Sequence, residues 1–280
     1  MKKTNLTAVA FLLLFAVALF SFAETKTEEQ LSLSKAQSFL TQQAFDKAIE
    51  QFQKVLSLNP QNDQALFSMA FLSFQLHQDY DKSLYYASKV SDNFKNKYLA
   101  NIIAGHCLAA KGKTDEAISN FEIALKTDPD DEDSLMLLGT LYFSEKGNPA
   151  KAKHYFERLL QVSPNHEDAL LGLGLAAQSD NQTIKYMEKL IEINPNHPDA
   201  YATLATSYGN KGDFDTAITN YKKAIKLSPN DPYNYQGLGL CYKDKGNSEK
   251  ALEFLKKAAE INTDSNVAKE IEAEIEKLKK

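Results

Sequence analysis

Five histidines, two cysteines and one run of acids are the residues of this chain that could do chemistry. The histidines stand at positions 77, 106, 154, 166 and 197. A zinc site needs three or four His, Cys or carboxylate ligands brought to one point. His166 and His197 each follow Pro-Asn, so a regular array would present them at corresponding places, yet no third ligand accompanies them. Cys107 and Cys241 are too few for a four-thiolate site or a disulfide framework. Asp128-Pro129-Asp130-Asp131-Glu132-Asp133 has the acid density of a calcium loop but lacks the central glycine and the closing glutamate. The same acids at a helix start would interact favourably with its dipole. His-Glu-x-x-His, Gly-x-Ser-x-Gly, a phosphate loop and Cys-x-x-Cys are all missing. The residues therefore imply no metal, no cofactor and no catalytic centre, and the chain reads as a non-enzyme.

The elements that would position a binding surface are legible from the prolines. Asn59-Pro60, Asp128-Pro129, Ser163-Pro164, Asn194-Pro195 and Ser228-Pro229 each follow a helix-like segment. Proline disfavours helical geometry in the residue before it, so these are helix stops. They are spaced 69, 35, 31 and 34 residues apart. The first gap is two units with one stop missing, which is the period of a helix–turn–helix solenoid. One column inside the unit reads Ala36, Ala70, Gly105, Gly139, Gly174, Ala205 and Gly239. A second reads Ala48, Ser83, Ala117, Ala152, Thr183, Ala217 and Ala251. Small residues in register let two antiparallel helices approach closely. Large residues follow both columns at helical spacing: Phe39, Leu108, Tyr142, Tyr208 and Tyr242 in the first helix, and Phe52, Phe121, Phe156, Tyr221 and Phe254 in the second. Gly112, Gly147, Gly212 and Gly246 fall in the turn, where a positive φ is easy.

These columns resemble the tetratricopeptide repeat (TPR) over roughly 29–264. Residues 98–131 and 198–231 carry the best copies, with Ala104-Gly105, Leu108, Gly112, Ala117, Phe121, Ala124 and Pro129 in one. The other has Tyr201, Leu204, Ala205, Tyr208, Gly212, Phe214, Ala217, Tyr221, Ala224 and Pro229. The resemblance implies an all-α fold, a right-handed α-solenoid of about seven helix-turn-helix repeats: 29–62, 63–97, 98–131, 132–166, 167–197, 198–231 and 232–264. The chain departs from the family in having no tryptophan, in lacking the stop proline of the second unit, and in placing Thr263 where the last unit would have it. The fifth unit is about three residues short around Ser179 to Gln182, so its second helix is expected to start late. Lys35 occupies a column that is apolar elsewhere, as suits a first repeat with no neighbour before it. Val267, Ile271, Ile275 and Leu278 recur on one face, so 265–280 reads as an amphipathic capping helix. Cys107 and Cys241 share one repeat position four repeats apart, so no disulfide joins them within a chain.

In the TPR family the other stripe of each first helix lines the concave side. Here it reads Leu33, Gln37, Leu40; Phe67, Phe71, Phe74; Ile102, His106, Ala109; Met136, Thr140, Phe143; Leu171, Leu175, Gln178; Ala202, Thr206, Gly209; and Gln236, Leu240, Lys243. Only one of the 21 is charged, whereas a solvated helix face carries several charges. The expected peptide-binding groove is therefore Phe67, Phe71, Phe74, Ile102, His106, Met136, Phe143, Leu171 and Leu175. TPR domains that hold C-terminal carboxylates of chaperones use Lys, Arg and Asn here, and this stripe has no such set. An extended or helical apolar segment of a protein partner fits better. The alternative at this stage is that neighbouring helices or an irregular turn cover these side chains.

Charge and the N-terminus complete the reading. Thirty-two basic against 37 acidic residues give −5, and Arg158 is the only arginine, which excludes nucleic acid as a partner. Lys2 and Lys3, the apolar run Ala8 to Phe20, and Ser21-Phe22-Ala23 before Glu24 have the layout of a secretory signal peptide over 1–23. Residues 24–28 are a polar lead-in. The run is short for a membrane span, so an exported protein, periplasmic or extracellular, is expected, with an uncleaved anchor as the alternative. The expected function is an exported scaffold that binds protein segments for an envelope or secretion assembly. The rivals are a self-associating spacer or homo-oligomer, cell-wall glycan binding near Tyr233 and Tyr235, and a non-catalytic subunit of an enzyme complex.

Overall fold

The computed structural model describes residues 27–262 and 265–279. The apolar run and its expected cleavage point lie outside them. Among the described residues there are fifteen α-helices and no strand. In chain order these are α1 Glu28–Thr41, α2 Phe45–Leu58, α3 Asp63–His77, α4 Tyr80–Lys89, α5 Lys97–Ala110, α6 Thr114–Thr127, α7 Glu132–Ser144 and α8 Pro149–Val162. Then come α9 Glu167–Leu175, α10 Asp180–Ile193, α11 Pro198–Asn210, α12 Phe214–Leu227, α13 Pro232–Asp244, α14 Ser248–Ile261 and α15 Ser265–Leu278. None of them is long and apolar enough to cross a membrane. The fold class is all-α, an array of TPR-like helix pairs.

The chain divides into two compact units, Met1–Ser134 and Leu135–Lys280. In the first, each helix from α1 to α6 packs on the next, and α3 also touches α5. In the second, the same sequential packing runs from α8 to α15, with α9 against α11 and α11 against α13. Within the units, first helices α3 and α5, α9 and α11, and α11 and α13 thus touch.

The small columns work as the sequence implies. A Cβ on Gly105 would stand 2.7 Å from the Phe121 ring, and one on Gly139 would stand 2.4 Å from the Phe156 ring. Those rings are almost wholly buried, and each contributes about 2–3 kcal/mol by leaving water. Where the second column is not alanine its hydroxyl finds a carbonyl. Ser83 Oγ donates to the Ala70 carbonyl at 2.8 Å, and Thr183 Oγ1 donates to the Gly174 carbonyl at 3.0 Å. The buried polar atom is thereby satisfied without enlarging the contact. In the last pair the expectation needs correcting. Leu255, not Phe254, meets Gly239, because it stands four residues after Ala251, while Phe254 stacks on Tyr242 at 5.5 Å.

The turns explain two further departures. Gly112, Gly147, Gly212 and Gly246 all have positive φ, and in the first two pairs Gln43 (φ 56°) and Gln78 (φ 48°) take that conformation instead. The fifth pair is shortened, but at the other helix. The second helix, α10, starts at Asp180, three residues before Thr183, which is the usual register; the first helix, α9, stops at Leu175. The missing residues are the last turn of α9. In the second pair, where no proline stands, α4 ends at Lys89 and Val90–Asn96 forms a longer connection. In the closing helix, Ile271 and Ile275 are buried against Leu255 and Ala258.

Candidate functional site

The stripe residues behave differently in the two units. In Met1–Ser134, Phe67 and Ile102 are buried, at 4% and 7% exposure. Phe67 lies under Phe94 of the long α4–α5 connection, with ring centroids 6.1 Å apart. That connection is held by Lys97, whose Nζ donates to the Val90 carbonyl at 2.6 Å. Phe71 is half-buried. Phe74 is flanked by Tyr80 at 6.2 Å and by the His106 ring at 5.5 Å. His106 also meets the Phe121 ring edge-on at 5.5 Å, and its Nε2 lies 3.8 Å from an Asp133 carboxylate oxygen. In this unit an irregular connection and neighbouring rings cover much of the stripe. Phe67 and Ile102, both members of the expected groove, thus offer little surface to a partner.

In Leu135–Lys280 the stripe is more open. Met136 and Leu171 are half-buried, Phe143 is 36% exposed and Leu175 is 49% exposed. Register relates this to the shortened α9. By repeat register Thr140 of α7 corresponds to Leu175, so Phe143 stands at the level of the turn α9 does not have. The start of α10 is tied to the end of α11: Asn210 Nδ2 donates to Asp180 at 3.0 Å, and Lys211 Nζ donates to Asn181 Oδ1. The sequence located the shortening but not which helix lost it. The register of Thr183 was the signal that could have found it. In α11, Thr206 is not bare surface, since its hydroxyl lies 2.9 Å from the Tyr221 hydroxyl. A Cβ on Gly209 would face Cys241 and Ala217, toward α13 and α12.

The residues first considered for chemistry have structural roles. His166 and His197 accept through Nδ1 from the Ala169 and Ala200 amides, each at 3.3 Å, and so cap α9 and α11. Asp131 accepts from the Ser134 amide at 2.8 Å, and burial pushes its carboxyl above the usual range. Cys107 and Cys241 are free and buried. Burial raises both thiols, Cys241 to about 11, so neither has the thiolate character of a reactive cysteine. Among the described residues, no three His, Cys, Asp or Glu side chains are grouped to hold a metal ion.

With this geometry the comparisons are informative. Tetratricopeptide repeat models match residues 30–62, 132–166, 104–146 and 186–219. A model described as regulator of microtubule dynamics protein 1-3 matches 211–280. No curated protein matches the chain. A crystal structure of MamA is 31% identical, with 56% of this chain and 93% of that chain aligned and a TM-score of 0.53. A tetratricopeptide repeat protein from Parabacteroides merdae is 18% identical, with 90% of this chain and 99% of that one aligned and a TM-score of 0.59. A chain of the APC/C hetero-tetramer Cut9-Hcn1 is also 18% identical, with 90% of this chain and 56% of that one aligned and a TM-score of 0.57. At 18% these two likenesses concern the fold alone. The chain belongs to the tetratricopeptide repeat family. It is a helical-repeat scaffold of the kind suited to protein–protein interaction, and proteins of this fold are generally non-catalytic.

Proposed function

We propose that the chain is an exported, non-enzymatic scaffold that holds a segment of a protein partner on the apolar stripe of its first helices. The observation that carries this is the exposure of Phe143 and Leu175 beside half-buried Met136 and Leu171. Large apolar side chains left in water on adjacent helices cost hydration free energy that a partner's apolar surface would relieve. Met136 can repack around different side chains. The role fits assembly of an envelope or secretion complex, and export itself rests on Lys2, Lys3 and the apolar run to Phe20.

Affinity capture with the full chain and with Phe143→Lys/Leu175→Lys tests the binding reading. The wild type captures a defined protein and the double variant, equally helical by circular dichroism, does not. Equal capture by both would remove the stripe of Leu135–Lys280 from the function. N-terminal sequencing of the protein from its own cells tests export: a chain starting at Glu24 supports it, and one retaining Met1 in the cytoplasmic fraction contradicts it.

A further inference from the structure

The acids at the start of the first helices say what kind of segment the open stripe would take. In the first unit Asp133 stands three residues before Met136, one turn upstream of the stripe on the same helix face. Its carboxylate lies 3.8 Å from His106, a stripe residue of the preceding first helix. An acid at this register therefore reaches the stripe of the helix before it. Asp168 stands three residues before Leu171, and Asp199 three before Ala202, in the same register. Both are exposed, and neither makes an ion pair among the described residues. By that register Asp199 borders Leu175, and Asp168 lies on the same face of α9 as Leu175, two turns away, at about 10 Å. Glu167 beside it is occupied by Asn194 Nδ2 at 2.8 Å. The lysines that approach this end are engaged: Lys189 donates to the Pro164 carbonyl at 2.9 Å, and Lys223 lies over the Tyr201 ring at 5.6 Å. Exposed apolar side chains thus share their helices with exposed carboxylates.

We infer that this surface of Leu135–Lys280 takes a short partner segment with one large apolar anchor against Phe143 and Leu175, and lysine or arginine toward Asp168 and Asp199. The inference rests on the protein-binding reading above and adds the chemistry of the occupant. An extended segment rises about 3.3 Å per residue, so a cation three positions from the anchor spans the 10 Å to Asp168; in a helix it would be seven positions away. Apolar contact supplies the affinity, and the carboxylates fix direction and reject acidic segments.

The test pans a random dodecapeptide library displayed on phage against the full chain. Enriched peptides should share a large apolar residue with a basic one at either spacing. Synthetic versions ending in tryptophan can be titrated by fluorescence, since the chain has no tryptophan of its own. Leu175→Glu and Asp168→Lys/Asp199→Lys should each weaken binding at least tenfold, added salt should weaken it further, and Phe71→Lys should change it less than twofold. Phe143→Ser, which removes the anchor contact without a charge, should also weaken it, with circular dichroism verifying that each variant is folded. Peptides that are acidic, or whose binding ignores both Leu175→Glu and the double lysine variant, overturn the inference. If those peptides are instead lost on Phe71→Lys, the protein-binding reading survives and only this inference falls. If no peptide is enriched while a captured protein still depends on Leu175, the short-segment inference falls alone; if neither is found, both fall.

Discussion

Phe74 and Phe143 occupy the same place in their respective repeats, yet they meet different surroundings. Phe74 has Tyr80 on one side and the His106 ring on the other. Phe143, whose counterpart in the next repeat lies beyond the end of α9, stays 36% exposed. The same contrast, though smaller, separates half-buried Phe71 from Leu175, which is half in water. Identical stripe positions thus become packing in one unit and surface in the other. Neighbouring rings flank the first, and the second is in register with a turn that α9 lacks. Repeat position alone does not make a binding residue; the length of the neighbouring element decides it.

Substitutions at the paired positions would break or sharpen this comparison. The largest effect is expected in the interior, which the two units share. Phe121→Ala and Phe156→Ala should each cost about 3–5 kcal/mol in chemical denaturation, because both rings fill the space left by facing glycines. The stripe should then divide. Phe67→Glu, which buries a charge beneath Phe94, should cost about 3 kcal/mol, while Leu175→Glu should stay within about 0.5 kcal/mol of the wild type. Similar costs at both positions would erase the distinction between the units. Ser83→Ala should cost about 1–2 kcal/mol by leaving the Ala70 carbonyl without its 2.8 Å donor. Gln78→Gly, at a positive φ, should raise stability by about 0.5–1 kcal/mol.

A pH effect follows from Cys241. Burial raises its folded value to about 11, above the ordinary thiol value, so the folded state favours the protonated form. Its contribution to stability is present below the unfolded value and is lost as pH rises toward about 11. Cys241→Ala should flatten that alkaline loss in a urea titration, and the wild-type thiol should resist alkylation at pH 8 until the chain is unfolded.

Most of the fold was legible because repetition multiplies weak local evidence. A single Gly105 says little, but a glycine or alanine at seven corresponding places, each followed by large residues at helical spacing, requires close helix pairs. The site was legible only in part. Stripe membership could be counted from the small column, which put Phe143 and Leu175 among the stripe positions. Exposure depends on where neighbouring helices stop. The end of α4 at Lys89 has no proline to announce it, and α9 contains no breaker that distinguishes its early end from a late start of α10. The capping roles of His166 and His197 were visible only as polarity at the junctions, since the Nδ1 acceptor geometry needs the folded helix start.

The claim that binding belongs to the uncovered stripe can be tested most directly by site-specific photocrosslinking in the cells that make the protein. Benzoylphenylalanine would replace Phe143, Leu175, Phe71 and Phe74 one at a time in the full chain. The account predicts a discrete crosslinked partner from positions 143 and 175 and little from 71 and 74. Adducts confined to 71 and 74, with none at 143 or 175, would contradict it.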